Sequence, residues 1–279
     1  MIRRPAVAGS FYEDDPEKLK RQISYCFTHP LGPGSYPLVS KEGPSNIYIV
    51  PHAGYMYSGP IAAHVYAELA LATPPELVVI LGPNHTGLGS YVAAFPSGEW
   101  ETPLGSVPID HETVRKLAVE SEVIDLDERA HLYEHSIEVQ LPFLQYVFGN
   151  NFKLVPIVIM MQTPEVAEYI SEGLYRLLGS QKRILILAST DMNHYDPHEE
   201  TLKKDQLAIE KILSLDYRGL YHAVQDSDVT MCGYGPTMTV MRLARKMGKR
   251  PILMKHATSG DTSGDKSSVV GYLTVKFID

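Results

Sequence analysis

Hydrophobic positions along the chain form short continuous runs that alternate with longer segments of helical period. The runs predict strands at 46–50, 76–82, 152–160, 182–189, 250–255 and 270–278. The intervening segments predict helices at 59–72, 110–121, 131–147, 164–179, 199–213 and 235–247. This alternation is typical of a sheet covered by helices, and the unbroken hydrophobicity of the middle strands indicates burial on both faces. We predict one α/β domain spanning residues 1–279, with a mostly parallel or mixed central sheet flanked by helices.

Two segments depart from this alternation. Residues 91–107 predict a two-stranded excursion from the sheet around a glycine-containing turn. Residues 256–268 contain the tetrapeptide TSGD twice, which predicts a mobile loop that could cover a site.

Composition and charge exclude several classes of function. With 279 residues, 44% of them hydrophobic, the chain can bury one sizeable core. The net charge is −8 and the lysines and arginines are scattered, so we expect no nucleic-acid partner. No apolar stretch approaches the length of a membrane span, so we expect no membrane partner and a cytoplasmic location. The two cysteines, Cys26 and Cys232, form no disulfide framework and fit a reducing compartment.

Polar side chains follow three of the predicted strands at the point where each strand ends. His52 follows IYIV, and His85 follows VVILG. Asp191 and His194 both follow ILILAS. Because ligands bind where the carboxyl ends of parallel strands converge, we expect these four side chains to surround one pocket.

Cys232 lies among glycines in MCGYGPTMTVM, directly before a predicted helix. The positive end of the helix dipole favours a thiolate there, so Cys232 is a candidate metal ligand. Two imidazoles and a thiolate suit iron, copper or zinc rather than magnesium or calcium. However, His52 and His85 are 33 residues apart and Cys232 follows 147 residues later, which matches no short zinc motif. Spacing alone therefore does not identify a metal site.

Six motifs in the same order resemble the Memo family, named for the mediator of ErbB2-driven cell motility: MIRRPAVAGSFY, VPHAGYMYSG, LGPNHTG, EHSIEVQLPFL, STDMNHY and MCGYGP. The resemblance covers essentially the whole chain. It implies a fold similar to the class III extradiol dioxygenases, whose non-haem iron is held by two histidines and a glutamate. It also implies that His52 and His85 are metal ligands and that His194 is the catalytic acid and base. The third ligand position matches Cys232 rather than a glutamate, which puts ring cleavage itself in doubt.

These observations together predict a mononuclear metal-binding, oxidoreductase-like protein. The metal would be iron or copper, with zinc as a third candidate, on His52, His85 and Cys232. His194 would move a proton and Asp191 would orient it. The partner would be an unknown small molecule or peptide. Two alternatives stay open, namely a non-catalytic ligand-binding or signalling module and a metallohydrolase.

Further residues are candidates for the substrate pocket. Tyr55 lies in the GYMYSG motif, and His256 ends the predicted strand RPILMK. HLYEH, residues 131–135, matches the H-x-x-E-H pattern of a class of zinc peptidases, which would place two histidines on one helical face. Such a peptidase needs a further acidic ligand that the chain does not indicate. We therefore predict that Glu134 and His135 support the metal ligands or contact substrate.

Overall fold

The computed structural model describes residues 1–179 and 183–279 of the chain. The strands in this part are β1 (Ile2–Arg3), β2 (Ile47–Val50), β3 (Leu77–Pro83), β4 (Val92–Ala94), β5 (Glu99–Thr102), β6 (Gly105–Pro108), β7 (Asp125–Leu126), β8 (Lys153–Ile159), β9 (Ile184–Ser189), β10 (His194–Asp196), β11 (Arg250–Thr258) and β12 (Val269–Ile278). The helices are α1 (Pro16–Thr28), α2 (Gly59–Leu69), α3 (His111–Ser121), α4 (Leu141–Phe148), α5 (Pro164–Leu178), α6 (His198–Leu213), α7 (Tyr217–Asp226), α8 (Tyr234–Lys246) and α9 (Ser259–Ser263).

One mixed sheet runs through the domain. Its described strands lie in the order β10-β12-β2-β9-β3-β8-β4-β7, with β11 also paired to β12. The four central strands β2, β9, β3 and β8 are mutually parallel, while β12 and β4 run antiparallel on either side of them. All residues of β2, β3 and β9 are buried, as expected when helices cover both faces. The single α/β domain with a mixed sheet is confirmed.

Strand order decides which chain segments meet at the carboxyl edge of this sheet. β9 lies between β2 and β3, so the segments that follow these three strands are direct neighbours. Those segments carry His52, His85, Asp191 and His194. The four side chains therefore converge because of the strand order, which the sequence pattern alone does not contain.

The predicted helix at 131–147 is wrong in its first half. Short 3-10 turns at Arg129–His131 and Glu138–Gln140 flank an irregular stretch, and the α-helix begins only at Leu141. Glu134 O accepts from Arg3, the Glu134 carboxylate accepts from His85 and the Ser136 hydroxyl donates to Pro83 O, so this stretch binds partners outside it. Tertiary contacts thus override the local helical pattern.

Smaller differences concern three other segments. The hairpin of the predicted 91–107 excursion is formed by β5 and β6, whereas β4 joins the main sheet. The segment predicted as a loop at 256–268 contains the end of β11 and the five-residue helix α9, whose Thr258 and Asp261 form a capping box. The first residue of the predicted strand 182–189 lies outside the described residues.

Candidate metal centre

Three donor atoms from distant parts of the chain meet at the carboxyl edge of the sheet. One atom each of His52, His85 and Cys232 lies within 4.8 Å of the other two. Cys232 Sγ is 3.3 Å from His52 Nε2, and the two imidazole centroids are 5.2 Å apart. Sequence reasoning selected these three residues, and the fold brings them together.

The backbone at the start of α8 docks tightly on β9 and so places the thiol. The Cys232 amide donates to Asp191 O at 3.3 Å, and the Gly233 amide donates to Thr190 Oγ1 at 3.0 Å. A Cβ on Gly233 would lie 2.4 Å from Ser189 O, closer than real side chains come. A glycine is therefore required for Cys232 to reach the two histidines.

Hydrogen bonds fix the tautomer of His52. Ser189 Oγ donates its single proton to Ser136 O at 2.6 Å, so at its 2.8 Å contact with His52 Nδ1 it can only accept. Nδ1 therefore carries the proton. Nε2 carries the lone pair of the ring and lies 3.3 Å from Cys232 Sγ.

Glu134 orients the His85 ring through a contact with its Nδ1 atom, as Ser189 does for His52. Its carboxylate accepts from His85 Nδ1 at 2.9 Å and from the His85 backbone amide at 2.5 Å. The same carboxylate accepts the amides of His135 and Ser136, each at 2.8 Å. Because Nδ1 is engaged by Glu134, Nε2 is the ring nitrogen of His85 that remains available to a metal ion. A carboxylate in this position raises the basicity of metal-binding histidines.

Burial and neighbouring charges set the protonation states of the site. Burial, followed by the neighbouring histidines, holds the pKa of His52 well below its usual range. Burial also acts on His85 in that direction, but the hydrogen bond and charge of Glu134 outweigh it and raise the pKa of His85. Burial would raise the pKa of Glu134, yet its contacts with His85 lower it to about 2. The opposite shifts of the two pKa values have one cause, the contact between His85 Nδ1 and the Glu134 carboxylate.

The thiolate expected from the helix dipole does not form by itself. Burial, together with the nearby carboxylate of Asp191, raises the pKa of Cys232. Burial also raises the pKa of Asp191 to about 6. Both groups therefore favour their protonated forms more than they would in water, and a cation that binds the Cys232 sulfur would displace the thiol proton.

His194 lies on the same cavity, but its partner is not the one predicted. Its Nδ1 contacts Thr230 O at 2.8 Å, and its amide donates to Thr230 Oγ1 at 2.7 Å. Because a carbonyl only accepts, Nδ1 carries the proton and Nε2 is free to accept one. Asp191 instead accepts the His52 amide at 2.8 Å. In the described residues Thr230, not Asp191, orients His194.

The cavity above the donors has a volume of about 850 Å³. Sequence reasoning missed several of its walls: Ser10, Phe11, Tyr195, Thr230 and Tyr272. Tyr195 is 76% exposed and has a φ of +67°, an unusual conformation for a bulky residue. Phe11 packs on His135 with a ring-centroid distance of 4.7 Å. The motif GSFY at the start of the chain was the available signal for two of these residues.

The predicted pocket residues separate into two groups. His135 lines the cavity, and Glu134 lies beneath it against His85. Tyr55 was predicted to line the pocket, but it is buried in the core and donates to Val139 O at 2.6 Å. His256 was also predicted there, but its Nε2 contacts the buried carboxylate of Asp205 at 2.7 Å. Neither Tyr55 nor His256 is among the described residues that line the cavity.

The peptidase pattern HLYEH loses its structural basis. Residues 132–137 form no helix, so the two histidines do not share a helical face. His131 is fully buried against Ala93 O at 3.1 Å, whereas His135 faces the cavity. A second donor group does exist, formed by His85, Glu134 and His135 within 4.8 Å of one another.

No helix in the described ranges is both long and apolar enough to cross a bilayer.

Comparison with known proteins identifies the family. The model of the family described as Memo-like protein matches residues 3–276. A protein of Sulfolobus acidocaldarius named MEMO1 family protein is 62% identical, with 100% of both chains covered. A protein of Saccharolobus solfataricus with the same family name is 63% identical, with 99% of each chain covered. An uncharacterised protein from Escherichia coli K12 shares the fold at 13% identity and a TM-score of 0.53, over 84% of this chain and 99% of that one. The chain therefore belongs to the Memo-like protein family.

Proposed function

We propose that this chain binds one transition-metal ion through His52, His85 and Cys232 and acts as a non-haem oxidoreductase on a small molecule. The observation that carries the proposal is the meeting of one ring nitrogen from each of two histidines and one sulfur within 4.8 Å of one another at the floor of a cavity. The two imidazoles have their Nδ1 atoms engaged by Ser189 and Glu134. Such fixed tautomers are the usual accompaniment of metal-binding histidines.

The donor set favours iron or copper, with zinc as a third candidate. Two nitrogens and one sulfur are borderline-to-soft ligands, and three protein donors leave positions open for substrate. A bound iron or copper ion would supply the exchange of electrons with oxygen or substrate that the side chains cannot provide.

His194 is the group that we assign to proton transfer. Its Nδ1 proton is held by Thr230 O, so Nε2 presents a lone pair at the cavity wall. A histidine held in this way can accept a proton from a bound hydroxyl or thiol and return it later. Asp191 has a pKa near 6 because of burial, so it is a second group that can change protonation near neutral pH.

The walls of the cavity indicate the kind of molecule it would hold. Phe11, Tyr57, Tyr195 and Tyr272 line it, whereas none of the described lining residues is a lysine or arginine. Aromatic walls bind flat apolar groups, and the lack of basic side chains in the lining disfavours phosphate-bearing ligands. An aromatic molecule with one oxygen or sulfur donor is the substrate class that we propose.

Anaerobic titration with Fe²⁺ and Cu⁺, followed by oxygen consumption on a panel of catechols and aromatic thiols, tests this function. We expect one ion per chain and substrate-dependent oxygen uptake. His194→Ala should keep its metal but lose about 100-fold or more of the turnover, the usual contribution of a general acid or base. Metal binding without oxygen uptake on any compound would instead favour the non-catalytic binding module, and hydrolysis without oxygen would favour the metallohydrolase.

A further inference from the structure

Arg3 is a buried cation that the proposed chemistry does not use. It is 1% exposed, its guanidinium lies 4.1 Å from the ring centroid of Trp100, and its Nη1 contacts Glu138 Oε2 at 2.6 Å. Residues near a chain terminus are usually poorly ordered unless something holds them. Burying a charge is costly even when it is paired, so stability alone is a weak reason for this ion pair.

The other nitrogens of Arg3 bind the segment that supports His85. Nη2 donates to Glu134 O at 2.6 Å, and Nε donates to His131 O at 2.9 Å. Residues 132–137 are not helical: His131 O accepts the Glu134 amide at 3.3 Å, and no backbone amide of the described residues pairs with Glu134 O, so Arg3 supplies its partner. The flat guanidinium provides three fixed donor directions at once, which a lysine cannot do.

A single residue, Glu134, connects Arg3 to the proposed ligand His85 through hydrogen bonds. Arg3 holds the backbone of Glu134, and the Glu134 carboxylate holds both the backbone amide and Nδ1 of His85. Glu138 keeps the guanidinium in place while it also accepts the Tyr12 hydroxyl at 2.6 Å and the Ala6 amide at 2.8 Å. The start of the chain is thereby tied to the floor of the site.

We propose that Arg3 is a positioning residue of the metal centre. By fixing the backbone at residue 134, it holds the Glu134 carboxylate against His85 and so directs His85 Nε2 toward the metal. This inference rests on the proposed metal site. It adds to that site a residue that does not line the cavity and that would set how tightly the metal is held.

A second buried ion pair provides a matched control. Lys276 and Glu68 are 2.6 Å apart, with side chains 3% and 0% exposed. Lys276 also contacts Ser40 Oγ at 3.1 Å and Gly43 O at 3.2 Å. None of these four residues lines the cavity. Disrupting this pair tests the effect of losing a buried charge contact away from the site.

The experiment uses Co²⁺ as a probe of both affinity and the sulfur-to-metal absorption band. Arg3→Lys keeps the positive charge but loses the three-way contact, and we expect Co²⁺ affinity to fall about 10- to 100-fold, the range typical of groups that orient metal ligands. Lys276→Met should lower the denaturation midpoint and leave Co²⁺ affinity within about twofold. If Arg3→Lys does not fold, Glu138→Gln replaces it under the same criterion.

A double-mutant cycle tests the route of the effect. If Arg3 acts through Glu134, adding Arg3→Lys to Glu134→Gln should lower Co²⁺ affinity by less than about a further twofold. Adding Arg3→Lys to Ser189→Ala, which affects His52 instead, should lower Co²⁺ affinity by the same factor as Arg3→Lys alone. Unchanged affinity and spectrum in Arg3→Lys, equal losses in Lys276→Met, or additive losses with Glu134→Gln would each overturn the proposal. A wild-type protein that binds no Co²⁺, Fe²⁺ or Cu⁺ would instead overturn the metal site itself.

Discussion

Two groups of donors share His85, and they differ in which of their atoms are already hydrogen-bonded. In the group formed by His52, His85 and Cys232, hydrogen bonds engage Nδ1 of each imidazole and leave Nε2 of each ring for the centre. In the group formed by His85, Glu134 and His135, the carboxylate already accepts four N–H groups. A carboxylate offers about four acceptor sites, so Glu134 has none left for a metal ion.

This difference shows that distance alone does not identify a metal site. Both groups satisfy the same limit of 4.8 Å between donor atoms. In the first group the surrounding hydrogen bonds orient the two imidazoles, whereas in the second they use all the acceptor sites of the Glu134 carboxylate. We therefore propose that Glu134 orients the ligand His85 and is not itself a ligand, and each of the following predictions tests that distinction.

The largest effect is expected from Cys232→Ser. Replacing sulfur by a hydroxyl removes the only soft donor of the first group, so Co²⁺ affinity should fall by more than about 100-fold, beyond the range for supporting residues. The sulfur-to-metal absorption band should disappear. Competition with a chromophoric chelator measures the affinity, and retention of wild-type binding would shift the assignment to the second group.

Glu134→Gln should have an intermediate effect. The amide must point its NH₂ group at one of the four N–H donors, so the orientation of His85 is weakened while all three ligands stay in place. We expect metal affinity to fall about 10- to 100-fold with the absorption band preserved. Complete loss of the metal would make Glu134 a ligand and reverse the comparison.

The pH dependence of binding should separate the two groups by about tenfold per pH unit. The raised pKa of Cys232 keeps its proton on the metal-free protein at neutral pH, and binding through sulfur must release it. Below that pKa, the thiol should add about a tenfold rise in affinity for each unit of pH. His85 belongs to both groups, so any proton that it releases is common to them. The pKa of Glu134 is about 2 and that of His135 about 4, so neither would add a further proton above pH 7. Titration calorimetry in buffers of different ionisation enthalpy counts the protons, and a thiol that releases none would contradict the assignment.

The smallest effect is expected from His135→Ala. Its ring stacks on His85 at a centroid distance of 4.7 Å and faces the cavity, but it supplies no donor to the first group. Metal affinity should stay within a few-fold of wild type, since only packing beside His85 is lost. A loss as large as that of Cys232→Ser would show that the second group binds the metal.

The sequence by itself determined the class of fold and selected the candidate donors at the strand ends. Unbroken hydrophobic runs predict buried strands, and a polar residue directly after such a run must lie at the end of its strand. That local rule was sufficient for His52, His85, Asp191 and His194. It failed for residues 131–137, because their backbone partners lie far away in the chain, and Arg3 is separated from Glu134 by 131 positions.

Only the tertiary structure decided which of the candidate side chains share a site. The order of β2, β9 and β3 brought three strand ends together, while Tyr55 turned into the core and His256 toward Asp205. The tautomers of His52, His85 and His194 depend on Ser189, Glu134 and Thr230, which reach them across the fold. Hydrogen bonds act over about 3 Å, so their partners are set by packing between elements and not by the local pattern that forms each element.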